Sequence, residues 1–288
     1  SENPHPNRDS IKNDLTVRRL ETVIPVHPSR PCRVVRLPPD ARLDVSREGA
    51  VAFLVLRNPP ENRLTKSLVS DLAARVAELE KDDGVRAVLV TGEGDFCSGL
   101  DLAEWGALSA KEAQDEIQRG FETFWALEHM SKPTIAAISG RCEGAGAELA
   151  LVCDLRIASE SATFAFPQVE LGWMPSHGGT ARLTRIVGRS KATELFLTGK
   201  HLKALDALRF GIVDHLTPPG EALNHAKELA KTFAMKPRAA VRAIKRTLTE
   251  GEEKPYRNRF LLESQYSVQL LWTDEYREAI TKARGKRP

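Results

Sequence analysis

The stretch that most limits how this chain can fold runs from Thr134 to Ala150, where a short apolar run gives way to small residues and then to a segment carrying one glutamate. Thr134 to Ile138 is a continuous β-capable run bounded by Pro133 and Gly140, the pattern of a strand covered on both faces. Gly144, Ala145 and Gly146 then leave the backbone bare at the start of a predicted helix, whose unpaired N–H groups and positive dipole end can receive a ligand oxygen. Glu148 falls one turn into that helix. Strand, bare turn and carboxylate are the parts needed to polarise a carbonyl and move a proton beside it. The same residues also suit a close-packed turn with glycines for fit, so the stretch alone leaves both readings open.

A second turn of the same kind lies upstream. Arg42–Ser46 and Ala50–Leu56 read as a β-hairpin, and Thr65 caps a predicted helix whose Leu68, Leu72, Val76 and Leu79 share one face. Lys81-Asp82-Asp83-Gly84 ends that helix, and Arg86–Thr91 is another buried strand. Strand, helix and strand at this spacing imply a right-handed parallel crossover. The strand runs into Gly92-Glu93-Gly94-Asp95-Phe96-Cys97-Ser98-Gly99-Leu100-Asp101-Leu102. Two small-residue turns thus follow what read as neighbouring parallel strands, and ligands of such α/β sheets bind beyond those strand ends. A dinucleotide reading of Gly92-Glu93-Gly94 fails for want of a third glycine at the required offset.

Further on, Leu155–Ala158 and Thr163–Phe166 are short strands, and the segment from Gly178 turns helical: Gly179–Val187, Lys191–Leu197 and Ala204–Phe210, then a strand-like Ile212–Leu216. Predicted helices follow at Ala222–Phe233, Arg238–Leu248 and Arg257–Leu271, before a basic tail with Lys282, Arg284, Lys286 and Arg287. The expected organisation is an N-terminal extension over 1–39, flexible or draped on the core, a core over 40–188 with both turns, and a helical subdomain over 189–288. Within the extension, Asp14–Val23 could form a short helix, and Glu2, Asp9, Asp14 and Glu21 argue against a transit peptide.

Composition excludes several classes. Apolar residues make up 41% of the 288 and charged residues 28%, as in ordinary globular proteins. No apolar run approaches the ~20 residues of a membrane span, and no signal core opens the chain, so a cytoplasmic location is expected. A net charge of +3 is too mild to imply nucleic acid. The four cysteines, Cys32, Cys97, Cys142 and Cys153, lack metal-ligand spacing and are expected to be packed thiols, with no metal site.

With both turns placed, the chain resembles the enoyl-CoA hydratase/isomerase family, the crotonase superfamily. The resemblance rests on Asn58-Pro59-Pro60-Glu61-Asn62-Arg63-Leu64, Phe96-Cys97-Ser98-Gly99-Leu100-Asp101-Leu102, Lys132-Pro133-Thr134-Ile135-Ala136-Ala137, Cys153-Asp154-Leu155-Arg156-Ile157-Ala158 and Gly178-Gly179-Thr180-Ala181-Arg182-Leu183. These lie in collinear order from Arg42 onwards. The family implies a crotonase-like ββα superhelix with a C-terminal helical subdomain, a homotrimer or homohexamer, and an acyl-CoA thioester as substrate, with no cofactor beyond its coenzyme A. It also implies two backbone N–H groups that hold the thioester oxygen, which by position fall on Ser98 and Ala145. Arg63, Leu100, Asp101, Gly144 and Trp173 are the matching candidates for binding CoA or the acyl group, and the basic tail is a further candidate for the CoA phosphates.

Family hydratases use two glutamates. Glu148 matches the first, and Gln168 stands where the second is expected. An amide can hold a water but cannot trade a proton near neutral pH. Three repairs are open: Glu170, pointing the same way as Gln168 if the segment is extended; His177, before a helix; or Glu148 working alone. The expected activity is hydration or double-bond isomerisation through a thioester enolate. Decarboxylation, thioester hydrolysis or carbon-carbon cleavage on the same enolate is the alternative, as is a catalytically reduced scaffold.

Overall fold

Every parallel strand of the main sheet ends on the side where the two glycine-rich turns lie. The structure, a computed structural model, describes residues 42–284, which belong to a single compact unit. The expected N-terminal extension over 1–39, its short helix at Asp14–Val23, and the last four residues lie outside the described residues.

The chain opens with the hairpin β1 (Arg42–Glu48) and β2 (Val51–Arg57), then α1 (Lys66–Lys81) and β3 (Ala87–Gly92). Thr65 caps α1 through its side chain, and Leu68, Leu72, Val76 and Leu79 are the buried stripe that the periodicity predicted. After the first turn come α2 (Leu102–Trp105), α3 (Ala110–Glu128), β4 (Thr134–Ile138), β5 (Arg141–Glu143), α4 (Ala145–Leu151), β6 (Leu155–Ser159) and β7 (Thr163–Ala165). The remainder is α5 (Gly179–Thr198), β8 (Leu202–Lys203), α6 (Ala204–Arg209), β9 (His215–Thr217), α7 (Ala222–Ala234), α8 (Arg238–Gly251), α9 (Tyr256–Leu270) and α10 (Asp274–Arg284).

Six strands form the main sheet in the order β1-β2-β3-β4-β6-β9, antiparallel only at the opening hairpin. A three-stranded sheet of β5, β7 and β8 stands beside it. One face of the main sheet carries Phe53, Leu89, Ile135 and Ile157, and α7 covers it with Ala222, Ala226 and Ala230, spaced so that one helical face is all small. The other face meets α1, α3 and α4 in the larger core.

Several expectations change here. β9 and α7 lie beyond residue 188 yet complete the main sheet and its cover, so a boundary there does not divide the molecule. The segment read as a tail at Lys282 and Arg284 ends α10, whose acidic first turn and basic last turn suit the helix dipole. β7 stops at Ala165, and Pro167–Leu171 is a 3-10 helix that closes at Gly172 in the left-handed region, φ 67°. Gln168 and Glu170 are therefore not on an extended segment, because Pro167 sets a helical φ at its first position. The two helices expected after Gly178 are present as α5, broken at Gly188.

Candidate active site

Beyond the ends of β3 and β4 the two turns meet across an isolated bridge that pairs Cys97 with Cys142. A cavity of about 290 Å³ opens there. Of the residues singled out from the sequence, Arg63, Ser98, Leu100, Gly144, Ala145, Glu148, Gln168, Glu170 and Trp173 line it; Asp101 and His177 do not.

The backbone donors are not quite where the sequence placed them. The Ser98 N–H donates to the Glu61 carbonyl at 3.0 Å and is not free to bind a ligand. The first donor moves instead to Leu100. Leu64 N–H donates to the Gly99 carbonyl and Asp101 N–H to the Leu64 carbonyl, so Leu100 itself turns its N–H away from that partner. Gly99 makes this possible at φ 105°, and it sits against Gly144 at φ 54°; a Cβ on Gly99 would lie 3.6 Å from the Ala145 nitrogen. Ala145 is the first residue of α4, where an N–H has no partner within the helix. Leu100 and Ala145 both line the cavity, and neither N–H has a partner in the bridge or in the helix.

Glu148, only 1% exposed, stands one turn below. Its Oε2 accepts the N–H groups of His177 and Gly179, each at 2.9 Å, and its Oε1 accepts Nε2 of Gln168 at 3.1 Å. Burial outweighs those donors and the Arg182 charge and pushes its carboxyl up to about 7. A carboxyl at that value is divided between acid and base at neutral pH, which is what a group that both takes and returns a proton requires. The Gln168 amide must turn its nitrogen to the ionised Glu148, since two acceptors would otherwise meet. This leaves Gln168 Oε1 buried with no partner.

The other candidates have different surroundings. His177 points its ring at α3, where a Cβ on Gly120 would come within 2.2 Å of Nε2, and the ring packs on Phe124 at 5.1 Å. Burial first, then the Arg182 charge, holds it down at about 4, so it is neutral and serves Glu148 through its backbone N–H. Expected as an acid, its side chain is a packing group. Glu170 lines the cavity, but its carboxyl packs toward Gly199, 3.1 Å from where a Cβ there would sit. Asp101, expected to bind CoA or substrate, caps α2 by accepting the Ala103 and Glu104 N–H groups at 3.0 Å. Cys97 is buried and pushed up to about 12, as suits a packed thiol. Trp173 lines the cavity against Trp105, ring centroids 5.7 Å apart.

Sequence reasoning missed His201 and Met174, which also line the cavity; His201 Nδ1 lies 3.3 Å from Glu143 Oε1. Neither position carries a local signal, because β8 brings His201 in from another sheet edge. It also missed why Gly179 is glycine. A Cβ there would fall 2.8 Å from Glu148 Oε2 and 2.7 Å from its Cγ. Alanine normally favours a helix start over glycine, yet Gly179→Ala is expected to destabilise by about 1–3 kcal/mol through overpacking. Denaturant unfolding reads this directly, and a raised midpoint would show that the site has room.

Comparison with known proteins follows the same lines. The enoyl-CoA hydratase/isomerase family model matches residues 46–288. A short-chain-enoyl-CoA hydratase of Clostridium acetobutylicum is 34% identical over 246 residues, 84% of this chain and 94% of that protein. A crotonyl-CoA hydratase of Syntrophomonas wolfei is likewise 34% identical over 246 residues, covering 84% and 95%. The crystal structure of an enoyl-CoA hydratase from Bacillus anthracis superposes with a TM-score of 0.82 at 30% identity, covering 85% of this chain and 96% of that one. Two facing turns after parallel strands, a buried glutamate between them and this breadth of likeness lead to one conclusion: the chain belongs to the enoyl-CoA hydratase/isomerase family, with the crotonase fold.

Proposed function

We propose that this chain is an acyl-CoA enzyme that forms a thioester enolate with Glu148 as its only acid/base, and that its reaction is the shift of a double bond along the acyl chain. One observation carries the reading: where a second carboxylic acid would stand, Gln168 donates to Glu148 and has no proton to trade. Ionised Glu148 removes a Cα proton from a β,γ-unsaturated thioester. The electron pair moves onto the thioester oxygen, which the Leu100 and Ala145 N–H groups hold, each such donor being worth about 3 to 4 kcal/mol in acyl-transfer precedents. Glu148 then returns the proton to Cγ, which leaves the double bond conjugated. Nothing in that sequence calls for a cofactor beyond the CoA that the substrate carries.

A second reading, hydration, is favoured by the orphaned Gln168 Oε1. A water could donate there and to Glu148, lose a proton to Glu148 as its oxygen attacks Cβ, and see that proton returned to Cα. Relatives named as hydratases add weight. Incubation with saturated, α,β-unsaturated, β,γ-unsaturated and aromatic acyl-CoAs in deuterated water, followed by mass spectrometry, separates the two. Deuterium entry and double-bond migration without added water are expected; gain of a whole water would replace the first reading by the second. Carbon dioxide loss, free CoA or a shortened acyl chain would point to another enolate reaction, and inertness across the panel to a scaffold.

The quaternary and cellular readings belong to the same proposal. α9 buries none of its residues, and Tyr256, Phe260 and Trp272 stand 87%, 59% and 74% exposed on or just past it, which supports assembly as a homotrimer or homohexamer through the C-terminal helices. No described helix is long and apolar enough to cross a membrane. The buried thiols Cys97, Cys142 and Cys153 suit a reducing compartment such as the cytoplasm.

A further inference from the structure

The turn that serves Glu148 is itself held from behind. Arg182, 6% exposed, donates from Nε to Glu128 Oε1 at 2.8 Å and from Nη2 to Glu128 Oε2 at 2.6 Å, a fork that ties α5 to the end of α3. Its third arm, Nη1, donates to the His177 carbonyl at 2.6 Å. Its backbone N–H donates to the Gly178 carbonyl at 3.2 Å. So the His177 and Gly178 carbonyls are anchored on Arg182 while the His177 and Gly179 N–H groups go to Glu148 Oε2. Gly178, at φ 90°, clears the way: a Cβ there would lie 2.3 Å from Nη1. We propose that the Glu128–Arg182 pair is a positioning unit for Glu148, which fixes the His177–Gly179 turn so that two backbone donors meet one carboxylate oxygen.

The geometry distinguishes this from an ordinary buried ion pair. A pair that only joined α3 to α5 would need the fork alone, and Lys could supply its charge. Here the guanidinium has three directed arms, and the third lands on the turn that carries both donors. The charged and titratable groups around Glu148 are Arg182 from α5 and, across the cavity, Arg63 before α1, Glu143 on β5, Glu170 on the 3-10 helix and His201 before β8; the His177 ring is turned to α3 and the Gln168 amide is uncharged. Glu128 on α3 balances Arg182. Loss of the third arm frees the turn, weakens the donors to the carboxylate and makes the acid harder to ionise.

The inference rests on Glu148 as the base. The test is α-proton exchange of butyryl-CoA in deuterated water, followed by mass spectrometry across pH. Exchange should rise with pH as Glu148 ionises. Arg182→Lys keeps the charge but cannot make the fork and the carbonyl contact together. It is expected to move the midpoint of the acid limb upward by about one pH unit and to lower exchange below that midpoint about tenfold, with the butyryl-CoA dissociation constant unchanged. Arg182→Met with Glu128→Leu removes both charges and leaves no buried ion unpaired, so a folded protein is expected, with a midpoint at least as high. A wild-type midpoint in Arg182→Lys alongside inactive Glu148→Gln overturns the positioning role alone. Wild-type exchange in Glu148→Gln overturns both the base and the unit said to serve it.

Discussion

Glu148→Gln is expected to lower proton exchange and turnover of acyl-CoA substrates by about 10³- to 10⁴-fold while leaving CoA affinity unchanged. The other candidates read from the sequence offer no substitute. Gln168 is an amide, the His177 ring faces α3, and Glu170 packs toward Gly199. The variant should fold, because a glutamine oxygen can accept the His177 and Gly179 N–H groups and its amide can donate to a flipped Gln168, whose Oε1 otherwise has no partner. The sign of the stability change follows from linkage. A carboxyl raised from its ordinary 4.5 to about 7 in the folded state binds its proton more tightly there than in the unfolded chain. Stability therefore falls as pH rises from about 4.5 to about 7, by on the order of 3 kcal/mol in total, and the loss is complete above that range. Glutamine has no such dependence, so the variant should gain on the wild type through this window in thermal melts. Retained exchange would remove Glu148 from the reaction; loss of exchange with a collapsed melting temperature would assign it a structural role.

How much of this was legible in the sequence depends on how far each interaction reaches along the chain. The α1 stripe and its Thr65 cap are local patterns, and the order of β3, turn and β4 follows from connection rules. Glu148 was legible for the same reason, lying one turn beyond a bare glycine segment. Ser98 was misplaced as a donor because the free N–H depends on Glu61 and Leu64, more than thirty residues away, which engage Ser98 and leave Leu100 open. The His177 ring was misread because Gly120 on α3 makes room for it. Arg182 reaches Glu128 across 54 residues, and no period or motif joins them. The 3-10 helix is a different case: Pro167 and Gly172 bracket it, and the local signal was present but outweighed by the apolar run before it.

Gln168→Glu tests the single-acid reading from the other side. It replaces the amide nitrogen, 3.1 Å from Glu148 Oε1, by a second carboxyl oxygen. Two carboxyls at that separation cannot both ionise at modest pH, so the pair should hold one proton between them and release it only above the value of about 7 that Glu148 alone shows. One member is then acid and the other base over a wide range around neutrality. Hydration gains from that division, since one group can take a proton from water as the oxygen attacks Cβ while the other gives a proton to Cα. The variant is expected to hydrate a short α,β-unsaturated acyl-CoA about 10²-fold faster than the wild type, the lower end of what a positioned general acid contributes. Loss of the enoyl thioester absorbance follows the reaction. Double-bond migration needs only one carboxylate, which the singly protonated pair still supplies, so it should change less than hydration. A wild type that hydrates faster than Gln168→Glu would instead mean that the Gln168 amide, through its otherwise unpartnered Oε1, already orients the water and that the glutamate disturbs it.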